Sequence, residues 1–126
     1  MHHEHLYMFI GGALTHREAV AACRESGSLA MADDTETYGA LRLMLIDSRA
    51  QTYNFHVGAW LDGRLTGNGV WNCEYDKIAC GNNILWAQGK PDRLDEKKCV
   101  LLWLRKEGGV TNDFCARNMS AICEVK

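Results

Sequence analysis

The spacing of apolar residues near the start of the chain predicts a short helix. Thr15 and Glu18 match a capping box, in which the threonine side chain caps the first turn and the glutamate bonds back to it. Ala19 and Cys23 then fall on one face of a 3.6-residue repeat. Gly27 is predicted to end the helix, because glycine tolerates the backbone of a helix C-terminus.

A second helix is predicted to open near Asp34. Its apolar positions recur three and four residues apart, which is typical of a helix with one buried face. The residues that share this side are Tyr38, Leu41, Met44, Leu45 and Ser48. Arg42 and Asp47 fall on the opposite side, which is therefore expected to face water.

The pattern changes to a period of two at residues 54–61, where alternate apolar positions predict a strand with one buried face. The alternating residues are Phe55, Val57, Ala59 and Leu61. Residues 98–104 and 119–125 predict two further strands. Residues 62–93, between the first predicted strand and residues 98–104, are rich in glycine and lack a clear period. A loop of this length in a compact domain tends to be functional, and the order of elements predicts an α+β fold.

Composition narrows the class of protein. A chain of 126 residues with 47% apolar residues suits one domain with one core, which we place at residues 7–126, with residues 1–6 as a tail or tag remnant. The formal charge of −2 argues against nucleic-acid binding. No apolar run approaches the roughly 18 residues of a membrane span. Motifs of hydrolases, metalloproteases and nucleotide-binding enzymes are absent from the sequence, so we expect no enzymatic activity.

The six cysteines indicate the compartment. Their even number and the lack of a CxxC pair favour three disulfides over a zinc site or six free thiols, and hence a secreted protein. Six cysteines allow about 15 pairings, and composition does not select one.

A series of short motifs in a fixed order then resembles the C-type lectin-like domain, from about Tyr7 to Glu124. The pieces are Cys23, HVGAWLDG at 56–63, VW at 70–71, WAQGKPD at 86–92, Cys99, TNDFC at 111–115 and ICE at 122–124. The resemblance implies an α+β fold with two helices, small antiparallel sheets and a long loop region. It also implies three disulfides, which pair Cys23 with Cys123, Cys99 with Cys115, and Cys73 with Cys80.

In calcium-binding members of that family, a tripeptide centred on a cis proline supplies two ligands, and later acidic and amide side chains supply the rest. The cation then binds two sugar hydroxyls. The resemblance implies that Pro91 is cis, and it assigns calcium and sugar binding to Asp92, Glu96, Asn112 and Asp113. Asp95 is an alternative to Glu96. Calcium suits such a site because it accepts six to eight oxygen ligands.

Lys90 departs from the family pattern, which has Glu or Gln at this ligand position. An ammonium group has no acceptor and repels a cation, so it weakens the expected calcium site. Either Lys90 points outward and calcium binds with one ligand fewer, or Lys90 itself occupies the anionic hollow. In the second hypothesis it pairs with Asp92, Glu96 or Asp113, and the loop is formed without metal. Thr111 also departs from the pattern, since the family usually has Trp there.

These residues lead to a hypothesis of a secreted carbohydrate-binding lectin for microbial or cell-surface glycans, with a galactose-type leaning from Asp92. The alternative is a calcium-independent module for a protein or polymeric surface. A third interpretation is a zinc-influenced binder that uses His2, His3 and His5. Trp86 and Tyr75 are the best candidates for sugar stacking, although core and loop packing is the favoured interpretation of the tryptophans. Asn118 begins an Asn-Met-Ser glycosylation motif.

Overall fold

The structure is a computed structural model that describes residues 6–52, 58–74, 78–80, 82–104 and 108–125, without the side chains of residues 48–52 and 78–79. In chain order its elements are β1 (Leu6–Leu14), α1 (His16–Arg24), β2 (Gly27–Leu29), α2 (Thr35–Thr52), β3 (Gly58–Leu65), β4 (Trp71–Cys73), β5 (Ile78–Ala79), β6 (Cys99–Trp103), β7 (Gly109–Asp113) and β8 (Met119–Val125). The predicted α+β fold is confirmed.

The capping box of α1 is confirmed. The Glu18 N–H donates to Thr15 Oγ1 at 3.3 Å, and the Thr15 N–H donates to Glu18 Oε1 at 2.9 Å. The predicted end at Gly27 is wrong, because the helix ends at Arg24 and Gly27 is already the first residue of β2. Gly27 pairs with Val125, so its place in the sheet, rather than a helix cap, explains it.

Asp34 caps α2, as expected, since its Oδ1 accepts a hydrogen bond from the Thr37 N–H at 2.7 Å. Leu41 and Leu45 are completely buried, which confirms the apolar face of this helix. Tyr38 and Met44 pack on the same core cluster. None of the helices in the described part of the chain is long and apolar enough to cross a membrane.

The sheet is more extensive than the sequence predicted. Strand β8 lies between β1, with which it is antiparallel, and β3, with which it is parallel, and β2 also pairs with it. On the other side of β3 lie β4 and then β5, while β6 pairs with both β3 and β7. Strands β1, β2, β4, β5 and β7 were not predicted. Leu6, at the edge of the predicted tail, belongs to β1 and pairs with Val125.

The predicted single buried face of the third strand is wrong. Of the predicted range, residues 54–57 lie outside the described part, including Phe55, His56 and Val57, and the observed strand runs on to Leu65. Ala59 and Leu61 are buried in one cluster and Trp60 in another. Both faces are covered because β3 is central, with strands along both edges and apolar clusters on either side.

Three disulfides join the cysteine pairs that the resemblance implied. Cys23–Cys123 links α1 to β8 across 100 residues of chain, and Cys99–Cys115 links the start of β6 to the segment after β7. Cys73–Cys80 joins the last residue of β4 to the residue after β5, seven positions further along the chain. The first two pairs link α1 and the loop region covalently to the sheet. The sheet therefore supports the candidate site.

Candidate functional site

The loop between β5 and β6 turns at Pro91, and the Lys90–Pro91 peptide bond is cis. The Lys90 Nζ donates a hydrogen bond to Asp92 Oδ2 at 3.0 Å. The two side chains are 31% and 41% exposed, so the pair lies at the surface of the loop. The ammonium therefore contacts a carboxylate that the resemblance assigned to a cation.

Asn112 fastens the loop to the sheet. It lies near the end of β7 and is only 2% exposed. Its Oδ1 accepts from the Asp92 N–H at 3.1 Å, and its Nδ2 donates to the backbone oxygens of Asp92 at 2.6 Å and Lys97 at 2.7 Å. The two acceptors fix the orientation of the amide, because the reverse orientation would set its oxygen against two carbonyls.

The other two predicted ligands are held elsewhere. Asp113 Oδ2 forms an ion pair with Arg117 Nη1 at 3.0 Å, and its Oδ1 accepts from the Phe114 N–H at 2.7 Å. Glu96 is paired with Arg93 by a short contact. The observed contacts thus join Asp92 to Asn112, whereas Glu96 and Asp113 each face an arginine.

The residues present do not fit a calcium ion. Asp92 Oδ2 is held by the Lys90 ammonium. Its buried Oδ1 has no hydrogen-bond partner and is open to a cation, but it is a single ligand. The Asn112 oxygen is already occupied by a backbone donor. A dication beside an ammonium group is disfavoured by Coulomb repulsion. In the described ranges, no group of three or more His, Cys, Asp or Glu side chains could hold a metal.

Lys90 also sets the protonation of its partner. Its hydrogen bond, and to a smaller extent its charge, hold the pKa of the Asp92 carboxyl below the ordinary value of 3.8. Asp92 is therefore ionised at neutral and mildly acidic pH. The pair presents one carboxylate and one ammonium side by side, which is a compact acceptor and donor set.

The aromatic candidates divide into three cases. Trp86 is half-buried, and its ring packs on Trp71 with centroids 5.0 Å apart, so packing accounts for it. Tyr75 lies outside the described residues. Phe114, which sequence reasoning missed, is 37% exposed, and the Lys97 Nζ lies 5.8 Å from its ring centroid. Its position between Asp113 and Cys115 was the available signal.

Asn118 is exposed, and its glycosylation remains a prediction.

Comparison with known proteins agrees with this architecture at the level of structure. Neither a scan against protein-family models nor a search of curated proteins finds a match. Among solved structures, the C-type lectin CEL-I from Cucumaria echinata superimposes with a TM-score of 0.77 at 15% identity, over 100% of this chain and 93% of that one. Human lithostathine superimposes with a TM-score of 0.80 at 15% identity, over 100% of this chain and 95% of that one. The Ca²⁺-independent C-type lectin SPL-2 from Saxidomus purpuratus gives 0.73 at 21% identity, over 94% and 84%. The chain therefore has the C-type lectin-like fold.

Proposed function

We propose that this protein is a secreted C-type lectin-like binding module that recognises glycans without calcium. The observation that carries the proposal is the contact between Lys90 Nζ and Asp92 Oδ2 at 3.0 Å. It supplies, from within the chain, the positive charge that a metal would otherwise bring to the loop. The three disulfides support an oxidising, extracellular location.

The pair is suited to direct recognition of hydroxyl groups. An ammonium group has three N–H donors, and the contact with Asp92 uses one of them. The remaining donors suit a hydroxyl oxygen of a ligand, while the Asp92 carboxylate accepts from a neighbouring hydroxyl. Both side chains are partly exposed, so a ligand can reach them. Hydrogen bonds to charged groups are among the stronger ones, which favours a pair of adjacent sugar hydroxyls.

Asn112 supports this role without touching the ligand. Its three hydrogen bonds hold the Asp92 backbone and Lys97 in place, so the exposed pair is preorganised before binding. The galactose-type leaning depended on a metal-bound site, so the metal-free proposal specifies only the hydroxyl pair. The name of SPL-2 states that it is a lectin that does not need Ca²⁺, which supports the compatibility of this fold with such a mechanism.

A second candidate is recognition of a protein or polymeric surface by the same loop. It is favoured by exposed apolar side chains in and beside the loop, since Leu85 is 38%, Leu94 44% and Phe114 37% exposed. Apolar groups around a polar pair are typical of a surface that excludes water on binding. This candidate shares the loop site and differs only in the ligand.

A glycan array run in calcium and again in chelator tests the proposal. We expect the same glycans to bind in both conditions, and Lys90→Gln to lose them. Sugar binding that disappears in chelator would overturn the metal-free mechanism. Binding to no glycan would overturn carbohydrate recognition and leave the second candidate.

Calorimetric titration with calcium gives an independent measurement. We expect no calcium binding by the unaltered protein and weak binding by Lys90→Gln. The substitution removes the ammonium and adds an amide oxygen, while Glu96 and Asp113 stay paired with arginines. Lys98→Gln is the matched control, since Lys98 is not in contact with Asp92, and it should resemble the unaltered protein. Calcium binding by the unaltered protein at least as tight as by Lys90→Gln would contradict the proposal.

A further inference from the structure

A second concave surface lies away from the Lys90–Asp92 pair. It is a groove of about 1190 Å³ between α1 and the hairpin of β3 and β4, with the Cys99–Cys115 disulfide also along it. None of the residues that form the loop site lines this groove. Its properties are therefore independent of the proposed function.

The groove is locally basic although the chain carries a net charge of −2. Four cationic side chains line it: Arg17, Arg24, Arg64 and Lys98. Two carboxylates accompany them, and both are engaged. Glu74 pairs with Arg24 at 3.3 Å, and Asp62, which is 2% exposed, accepts from the Glu74 N–H at 2.8 Å. Within the described residues, Arg17, Arg64 and Lys98 form no ion pair.

These cations come from three separate elements that the fold brings together. Arg17 and Arg24 are seven positions apart on α1, so they share one face about 10 Å apart along the helix axis. Arg64 on β3 pairs with Cys99, the residue after Lys98, and the Leu65 N–H donates to the Lys98 backbone oxygen at 2.8 Å. The positive charges therefore lie on α1 at one side of the groove, and on β3 and the residue before β6 at the other.

His16 lies among these residues but adds no charge at neutral pH. It is 4% exposed, and its Nε2 is 2.9 Å from the Leu61 backbone oxygen. Burial lowers the pKa of the imidazole from its ordinary value of 6.5, which outweighs the opposite effect of that hydrogen bond. Binding in the groove is therefore attributed to the arginines and the lysine.

We propose that this groove binds a sulfated glycan chain. Guanidinium groups present paired N–H donors that match the oxygens of a tetrahedral anion. Cations on both sides of the groove, two of them about 10 Å apart along α1, suit a linear polymer with repeated anions. Single-stranded nucleic acid needs aromatic side chains for base stacking. No Phe, Tyr or Trp lies among the described residues that line the groove.

The test measures the affinity of a heparin-derived oligosaccharide for the whole protein, beside the same backbone after desulfation and a single-stranded DNA of equal charge. We expect the sulfated chain to bind, with affinity that falls as salt rises. The desulfated chain and the DNA should bind at least tenfold more weakly. Equal binding of either, or no binding of the sulfated chain at low salt, would overturn the proposal.

Substitutions locate the site. Arg17→Gln, Arg64→Gln and Lys98→Gln should each weaken binding about three- to fivefold, as expected for exposed charge contacts. Arg42→Gln is the matched control, because Arg42 is exposed on α2 and does not line the groove. An equal loss in Arg42→Gln would show unspecific attraction and overturn the assignment. Lys90→Gln should leave this affinity unchanged, which separates a failure here from a failure of the loop proposal.

Discussion

Trp60 in the sheet and Asn112 beside the loop are both almost fully buried, at 0% and 2% exposure, but they stabilise their surroundings differently. Trp60 packs in an apolar cluster with Cys23, Leu29 and Leu101, and its Nε1–H makes one hydrogen bond, to the Leu14 oxygen at 2.8 Å. Asn112 contributes mainly hydrogen bonds, all three of them to the loop backbone. The sheet is stabilised by apolar area and the loop by a few directed contacts.

The sheet and the loop therefore differ in how they tolerate substitution. Apolar packing tolerates substitution of one side chain by another of similar volume. A directed contact depends on the identity and charge of single atoms, and an unpaired buried polar group is costly. The loop can therefore change its ligand chemistry through one residue, such as Lys90, while the sheet that supports it keeps its form.

The largest expected effect concerns the disulfide that joins α1 to the sheet, compared with the short disulfide beside β4. Replacing Cys23 and Cys123 together by Ala should lower the free energy of unfolding by about 4–5 kcal/mol, because this bond closes a long loop of the unfolded chain. Replacing Cys73 and Cys80 by Ala should cost only about 2 kcal/mol, since the closed loop is short. Urea unfolding of both double variants measures the difference.

The two pairs control for each other, because all four cysteines are at most 3% exposed and each variant loses one disulfide. A greater loss for the Cys73–Cys80 pair would contradict the comparison. It would mean that the short link beside β4 contributes more to stability than the link between α1 and β8.

Features that depend on local sequence were predicted, whereas features that depend on tertiary contacts were mostly missed. Helix caps and apolar periods are local, so α1, α2, β6 and β8 were found from the residues themselves. The resemblance supplied the disulfide pairs and the cis bond at Pro91. Strand β1 was missed because all nine of its residues are exposed or half-buried and two of them are glycines, so no clear period of two is present. Strand β7 was missed because TNDFC was interpreted only as a ligand motif.

The candidate site was less predictable than the fold. The motif around Pro91 indicated which acidic side chains belong to the candidate site. The contacts of these side chains depend on the tertiary structure. Arg93 and Arg117 had no motif that linked them to Glu96 and Asp113, and only the folded chain shows these pairs. The sequence did raise Lys90 as a built-in cation, because an ammonium among oxygen ligands is chemically unusual.

An intermediate effect is expected at Asn112. Asn112→Ala removes the partners of the Asp92 N–H and of two backbone oxygens, so it should lower the free energy of unfolding by about 2–3 kcal/mol. Hydrogen exchange at the Asp92 amide should also become faster. Asn83→Ala is the matched control, because Asn83 is exposed, and it should change stability by less than about 0.5 kcal/mol. Equal losses in both variants would show that the loop does not depend on the amide of Asn112.

The smallest expected effect is the titration of Asp92, which can be followed by NMR of its carboxyl carbon. The pKa should lie below 3.8 in the unaltered protein and return towards that value in Lys90→Gln, because the first cause of the shift is removed. Lys98→Gln should leave it unchanged. A lowered folded-state pKa stabilises the protein above the ordinary value, and this contribution is lost as pH falls through the folded-state pKa. Lys90→Gln should therefore be less stable than the unaltered protein at neutral pH, by at most about 1 kcal/mol for so exposed a pair, and the difference should vanish in acid.

A pKa of Asp92 at or above 3.8 in the unaltered protein would mean that Lys90 does not pair with Asp92. The carboxylate would then be free to meet another cation, and the loop would lose the feature that distinguishes it from a metal-dependent site. Because the pair lies at the surface and the sheet beneath does not depend on it, overall stability would change little while the mechanism of recognition changed completely. Titration of Asp92 therefore tests the loop mechanism more directly than any measurement of folding.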